Sequence, residues 1–317
     1  MTTWLLTGGA GYIGSHISRA LLASGRNVVV LDDLSTGVRE KVPAEATFVE
    51  ASVLDGYAVM TALQEHDVDG VIHLAAKKAV GESVEQPLYY FSENVGGVIS
   101  LLHAMSLAGT KHLVFSSSAA VYGTPEDVPV REESATSPES PYGETKLVGE
   151  WLVKDFANAH PLNWIALRYF NVAGAGAPEL GDPSVNNLIP MAFRALANGE
   201  RPKIFGTDYP TPDGSCIRDY IHVADLAEAH VAAAASCEAD GANTVLNVGT
   251  GTGNSVIEVM NVISEVIGAD VNAESIGRRA GDPPVTIAQA DRIREVLGWE
   301  ATRSLHDMVS SAWSARR

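Results

Sequence analysis

"TGGAGYIG", Thr7 to Gly14, follows the short apolar run "TWLLTG" and opens the run "YIGSHISRALLASG". Gly8, Gly11 and Gly14 recur at three-residue spacing, and Gly9-x-Gly11-x-x-Gly14 fits the dinucleotide fingerprint. Glycine permits the tight turn, lets backbone approach a pyrophosphate, and lets a helix pack close to a strand. Ile13, Ile17, Ala20, Leu21 and Ala23 then recur at helical spacing, and Gly25 supplies a stop. The helix start offers unpaired N–H groups and the positive end of its dipole to phosphates. Asp32 ends the next apolar run, "NVVVLDD", 18 residues after Gly14. An acid is expected about 20 residues on, where its carboxylate accepts hydrogen bonds from ribose hydroxyls. It repels a 2′-phosphate, so the expected cofactor is NAD rather than NADP. Without its strand, helix and acid, the glycine pattern would be a solvated turn.

The same alternation continues outward. "ATFVEAS", "GVIHLAA", "KHLVFSSS" and "NWIALRYFN" read as further strands. A long helix is expected from about 87 to 108, and another from "SPYGETK" to about Ala159. Continuous Val/Ile/Leu strands alternating with helices indicate a parallel sheet covered on both faces. Right-handed crossovers then give a doubly wound α/β (Rossmann) fold. After Asn171 the chain changes character. Residues 172–186 are rich in Gly, Pro and Ala, and short elements follow: a helix near Leu188–Ala197, "RPKIFG", a helix near Val223–Ser236, the strand "TVLNVGTG" and the helix "SVIEVMNVISEVIG". The expected organisation is a dinucleotide-binding domain over 1–171 and a smaller C-terminal lobe over 172–317, with some segments returning to the first domain.

The chain has 317 residues, enough for one large domain or two, and 46% of them are hydrophobic. No stretch approaches the roughly 20 apolar residues of a membrane span. The start, "MTTWLLTGG", lacks the basic region of a signal peptide. The net charge of −17 opposes nucleic acid and anionic membranes as partners. Cys216 and Cys237 are too few for a disulfide framework or a zinc site and read as free thiols of a reducing compartment, the cytoplasm. No metal is expected.

A bound NAD requires a group to exchange hydride with, and hydride leaves a carbinol carbon only as the hydroxyl proton is removed. A base poised near neutral pH suits this. In "SPYGETK", Tyr142 and Lys146 stand at i and i+4 and share one helix face. A free phenol has a pKa of about 10, and a nearby ammonium together with the nicotinamide's charge favours the phenolate. Ser140 and Pro141 suit N-cap and N1. Gly143 signals close approach by another segment. Leu147, Val148, Trp151, Leu152 and Phe156 cover a wide apolar arc, which predicts burial on more than one side. Ser118 lies at the carboxyl end of the fifth strand, where doubly wound folds bind ligands. Alone, Tyr142 is a packing residue and Ser118 a loop hydroxyl; beside the glycine loop they become a base and its partner.

"TGGAGYIGSH", Ser118 with Tyr142-x-x-x-Lys146, "RYFNVAGA" and "RDYIHVADLAEAH" together resemble the extended short-chain dehydrogenase/reductases. "IHLAAKKAVGESVEQPLYY" and "IFGTDYPTPDGSCIRDYIHV" narrow the resemblance to the UDP-glucose (UDP-galactose) 4-epimerases, over essentially the whole chain. The resemblance implies a redox-neutral epimerisation at C4. The base takes the 4-hydroxyl proton while hydride passes to NAD, and the 4-keto sugar turns and takes the hydride back on its other face. It implies Tyr142 as base and acid, Lys146 lowering its pKa and binding the nicotinamide ribose, and Ser118 orienting the 4-hydroxyl. It places Gly8, Gly11, Tyr12, Ile13, Gly14, Asp32, Ser52, Val53, Leu74, Ala75, Ala76, Lys78 and Asn94 at the cofactor, with Tyr169 near the nicotinamide. It places Asn171, Asn187, Leu188, Phe205, Arg218, Arg279, Asp282 and Thr286 around the UDP-sugar. Guanidinium groups suit a diphosphate because they donate paired, charge-assisted hydrogen bonds. His73 and His222 read as packed neutral imidazoles, and Asp225 as a helix-start residue. The resemblance also implies a homodimer through the two long helices.

Two positions depart from the family pattern. Ser52 stands where relatives often carry an Asp on the adenine amine, which predicts a weaker hold on the cofactor. Thr286 stands where relatives carry a Tyr or a small residue beside the sugar's C2 group, which leaves room for UDP-N-acetyl sugars. Two alternatives stay open. A nucleotide-sugar 4,6-dehydratase needs an acid/base pair where Ala119 and Ala120 stand. A non-catalytic NAD-sensing regulator has no need of Ser118, Tyr142 and Lys146 together.

Overall fold

The apolar runs assemble one seven-stranded parallel sheet, in a computed structural model that describes residues 1–184, 186–241, 243–279 and 281–316. In chain order the first half reads β1 (Thr3–Thr7), α1 (Tyr12–Ala23), β2 (Asn27–Asp32), β3 (Thr47–Glu50), α2 (Gly56–Glu65), β4 (Gly70–His73), α3 (Val80–Glu85), α4 (Pro87–Tyr90), α5 (Gly96–Ala108), β5 (His112–Ser116), α6 (Pro141–Ala159) and β6 (Asn163–Tyr169). The second half reads β7 (Asn171–Ala173), α7 (Leu188–Ala197), β8 (Lys203–Phe205), β9 (Ile217–His222), α8 (Val223–Glu238), β10 (Thr244–Val248), β11 (Gly253–Ser255), α9 (Val256–Ile267), β12 (Glu274–Ile276), β13 (Val285–Thr286), α10 (Asp291–Leu297) and α11 (Leu305–Ser314).

The strand order is β10-β6-β5-β4-β1-β2-β3. β1 pairs with β2 on one side and β4 on the other, so the order reverses there. A crevice opens at that switch, beyond the carboxyl ends of the strands. Alternate side chains serve opposite faces. Trp4, Leu6, Val28, Val30, Ile72 and Val114 pack with α1 and α8. Leu5, Val29, Leu31, Val71, Leu113 and Phe115 pack with α2 and α5. Both faces are dry, so the strands have no polar side and show as unbroken apolar runs.

The second half supplies β10 and α8 to this sheet and builds a third cluster from Ile189, Phe193, Ile204, Tyr220, Val259, Met260 and Ile263. Around that cluster β9 pairs with β7, β11 and β13, and β8 pairs with β12. β9 is hard to recognise in sequence because "IRDYIH" carries two charges. Its Asp219 is buried and accepts hydrogen bonds from the N–H groups of Thr250 (2.8 Å), Gly251 (3.0 Å) and Ala288 (3.2 Å). The helix expected over 87–108 is continuous helical backbone, but it is interrupted by a π turn at Phe91–Val95. Among the described residues no helix is long and apolar enough to cross a membrane.

Candidate active site

The glycine loop sits at the switch point after β1. Gly8 has φ +74°, and a Cβ there would lie 2.8 Å from the Ala75 backbone N. A Cβ on Gly14 would strike the Gly8 carbonyl oxygen and lie 2.6 Å from Gly9 Cα. No side chain caps Gly11, so the first N–H groups of α1 face the crevice without a side-chain partner. Asp32 accepts from Ala10 N and from Leu34 N, each at 2.9 Å, one on each carboxylate oxygen. A carboxylate has about four acceptor sites, so two remain for hydroxyl donors. Burial pushes its carboxyl above the ordinary value, against those two N–H groups. This donor and acceptor set fits a dinucleotide: bare N–H groups for phosphate, a carboxylate for ribose, and a cradle that any side chain would fill.

Leu74, Ala75 and Ala76 follow β4, and the backbone of Leu74 and Ala75 lies against Gly8 of this cradle. Asn94, in the π turn, fixes the segment beyond them. Its Oδ1 accepts from Lys77 N at 2.8 Å, and its Nδ2 donates to Lys77 O and to Thr145 Oγ1 of α6, each at 3.0 Å. Ser52 and Val53 follow β3; Val53 is buried, and Ser52 Oγ accepts from Leu54 N at 3.2 Å while keeping its own proton to donate. Lys78 is exposed beside this segment and Ile13 is half-buried on α1. The Tyr12 phenol points away from the cradle and donates to Gly174 O at 2.5 Å, in the loop after β7.

Tyr142 and Lys146 project from the first turns of α6. Ser140 caps the helix, its Oγ accepting from Gly143 N at 3.2 Å, and Pro141 takes the first helical position. Gly143 is required because a Cβ would lie 2.6 Å from Ala120 O, in the 3-10 turn Ala119–Tyr122. Ser118 caps that turn, accepting from Ala120 N at 3.1 Å, and its hydroxyl stands beside the Tyr142 phenol and favours its ionised form. The glycine thus brings the serine turn against the tyrosine helix. Lys146 Nζ donates to Ser116 O at 2.8 Å and stands 6.0 Å from the centre of the Tyr142 ring. Burial pushes the Tyr142 phenol up, opposed by Ser118. Burial also pulls the Lys146 ammonium down to about 8, opposed by the Glu150 carboxylate. Tyr169, at the end of β6, is raised by burial and by its neighbour Tyr142.

Two residues beyond Tyr169 a cavity of about 470 Å³ begins at Asn171. Its wall includes Asn187, Leu188, Phe205, Arg218, Arg279 and Asp282, so with Asn171 seven of the nine substrate residues named from sequence come together, while Ser118 stands at Tyr142. Arg279 lies over the Phe205 ring at 4.2 Å, and Arg218 stands 3.5 Å from Asp282. Asn171 donates to Asp219 O at 3.2 Å, and Asn187 donates to Asp182 at 2.6 Å. Thr286 is not on this wall. It pairs with Arg218 across β13 and β9, and its hydroxyl is buried without a hydrogen-bond partner. Tyr220 and Arg194 line the cavity without having been singled out, and so does Cys216, named from sequence only as a free thiol.

Sequence reasoning passed over Glu150. It follows Tyr142 and Lys146 at the next helical interval on the same face, and that spacing was the available signal. His73 is buried and bonded to Thr7 Oγ1 at 2.7 Å, and His222 accepts from Ala224 N at 3.0 Å as a helix cap. Asp225 is fully buried and accepts from Thr302, Arg303 and their N–H groups, which ties α8 to the C-terminal segment.

Residues 4–249 match the family model described as "NAD dependent epimerase/dehydratase family". The chain is 48% identical to UDP-glucose 4-epimerase of Azospirillum brasilense, over 99% of this chain and 91% of that protein. Its fold superposes with a TM-score of 0.96 on UDP-glucose 4-epimerase from Brucella ovis in complex with NAD, at 42% identity and covering 99% of this chain and 98% of that one. The crystal structure of UDP-glucose-4-epimerase from Stenotrophomonas maltophila, with bound NAD and formylated UDP-arabinopyranose, gives a TM-score of 0.95 at 40% identity, covering 99% of this chain and 98% of that one.

Proposed function

The chain belongs to the NAD dependent epimerase/dehydratase family, and from that premise we propose that it interconverts UDP-glucose and UDP-galactose by inverting C4 with a resident NAD. The observation that carries this reading is the meeting of two sites at the end of β6. Tyr169 neighbours the Ser118–Tyr142 pair, and Asn171 opens the arginine-lined cavity. A nucleotide diphosphate held by Arg218 and Arg279 would present its sugar to the phenol.

Gly8, Gly11, Gly14 and the start of α1 would hold the pyrophosphate, Asp32 a ribose, and Lys146 the nicotinamide side. Ser118 orients the 4-hydroxyl, and Tyr142 takes its proton. When bound, NAD would supply the acceptor and donor of the C4 hydride, and its cationic ring would add to the positive charge of Lys146 beside the buried phenol. Tyr142 then returns the proton to the 4-keto oxygen. The dehydratase reading loses support because Ala119 and Ala120 line the turn where its acid pair would stand.

The test is to incubate the protein with UDP-galactose, without added NAD, and to follow UDP-glucose by NMR. Conversion is expected in the wild type and a loss of three orders of magnitude or more in Tyr142→Phe, roughly the scale of acid–base contributions. Conversion near the wild-type rate in that variant would sink the mechanism. A second substrate class, UDP-N-acetyl sugars, gains no support from Thr286, which stands off the cavity wall; turnover of UDP-N-acetylglucosamine by the wild type in the same NMR assay tests it.

The proposal includes a homodimer. Leu88 (82% exposed), Ile99 (53%), Leu107 (63%) and Trp151 (56%) leave an apolar surface on α4, α5 and α6. The arc read on α6 is therefore only partly covered within one chain, with Trp151 outside. Sedimentation should give twice the chain mass for the wild type and a lighter species for Trp151→Glu. Two buried free thiols suit a reducing compartment, so we assign the enzyme to the cytoplasm.

A further inference from the structure

Tyr142, Lys146 and Glu150 stand at i, i+4 and i+8 of α6, one above another on its sheet-facing side. Glu150 is 4% exposed, and all its contacts run to the strand ends beneath. Its Oε1 accepts from Ser117 Oγ at 2.5 Å and from Arg168 Nε at 2.8 Å, and its Oε2 accepts from Arg168 at 2.6 Å. Ser117 precedes Ser118 and follows Ser116, whose carbonyl receives the Lys146 ammonium. Arg168 precedes Tyr169 and also donates to the Tyr122 phenol at 2.9 Å. A bidentate, buried ion pair holds geometry more tightly than a surface one.

We propose that Glu150 is a positioning residue for the proton transfer: it keeps the Lys146 ammonium charged and fixes the strand end that carries Ser118. The inference rests on the reading of Tyr142 and Lys146 as the working pair.

Burial pulls Lys146 down toward neutrality, and Glu150 is the charge that opposes this. The other groups around Lys146 do not replace it. His73 of β4 is held neutral by burial, its imidazole pulled down to about 3. Tyr169 of β6 and Tyr90 of α4 are phenols raised by burial, and Glu82 of α3 accepts from Tyr90 at 2.7 Å. Tyr122 of the 3-10 turn is raised by burial to about 12. Arg168, a cation, is held on Glu150 by a bidentate ion pair and cannot take the carboxylate's place. Without the carboxylate, Lys146 would lose its proton within the working pH range, and the phenolate would lose its chain-borne counter-charge.

The test reads Lys146 directly, in the purified holoprotein carrying 13C-labelled lysine, with its NMR signal assigned by its loss in Lys146→Arg. In Glu150→Gln the titration midpoint should fall by roughly one pH unit, and the alkaline limb of kcat/KM should move with it. Glu150→Asp, which keeps the charge, should hold the midpoint near wild type. An unmoved midpoint in Glu150→Gln overturns the proposal. If Glu150→Gln does not fold because Arg168 is left unpaired, Glu150→Gln with Arg168→Met removes both ions, and a fall in the same direction, smaller because the Arg168 cation is gone as well, is expected there; an unmoved midpoint again overturns it. The titration needs no turnover, so its failure is separable from failure of the epimerase reading, which Tyr142→Phe decides.

Discussion

At the scale of single residues, position matters more than type. Tyr142 is one of nine tyrosines, and it is singled out by Lys146 one turn on and Ser118 across a gap that only glycine at 143 permits. That gap could be anticipated from sequence as a close approach; its partner, Ala120 O, could not, because the 3-10 turn lies far from α6 in the chain. The direction of the phenol's shift was equally illegible. Two neighbours argue for a depressed value, but the depth of burial decides, and burial is a tertiary quantity. Gly14 offers the sharpest prediction at this scale. In Gly14→Ala the new Cβ meets backbone at Gly8 and Gly9, which has no rotamer to yield. A cost of about 1–3 kcal/mol is expected, together with loss of co-purifying NAD, measured as the 260/280 nm absorbance ratio and as nucleotide released on denaturation.

At the scale of elements, α6 shows what a sequence can and cannot give. Its start was readable from Ser140 and Pro141, because capping is local chemistry. Removing the cap in Ser140→Ala should cost about 1 kcal/mol, seen as a lower urea midpoint, with a fall in turnover because the frayed turn carries Tyr142. Equal stability of the two proteins would mean that α6 is held by packing alone. The π turn in the helix over 87–108 was not readable. Local propensity carries no mark of it, whereas Asn94 in the folded chain bridges Lys77 and Thr145 and is buried. β9 escaped for a related reason: its charges look like those of a loop until the N–H groups that satisfy Asp219 are brought in from Thr250, Gly251 and Ala288.

At the scale of the whole molecule, the parallel sheet was legible because both faces are apolar. The substrate cavity was legible only through the resemblance, since its wall draws on β7, α7, β8 and β9 and on Arg279 and Asp282. A global property follows from the buried histidines. Burial pulls His16 and His230 down to about 4 and His73 to about 3. Their folded values lie below the unfolded value of about 6.5, so the unfolded chain binds more protons between the two. Stability is therefore full above about pH 6.5 and is lost as pH falls toward 4, by several kcal/mol in sum. Urea unfolding at pH 7.5, 6 and 5 should show a falling midpoint; a constant one would contradict the buried neutral state.

The return of α8 and β10 to the first sheet has a consequence for synthesis. A nascent chain that has emerged only as far as residue 171 presents β6 as an open edge and leaves the α1 face of the sheet partly bare. The strand that closes that edge ends at Val248, and the helix that covers that face ends at Glu238. Until about residue 248 has cleared the ribosome, the first half carries a sticky edge that invites pairing with other chains. The second half is thus the late-arriving chaperone of the first, and its slow appearance sets the window in which this protein is most exposed to misassembly.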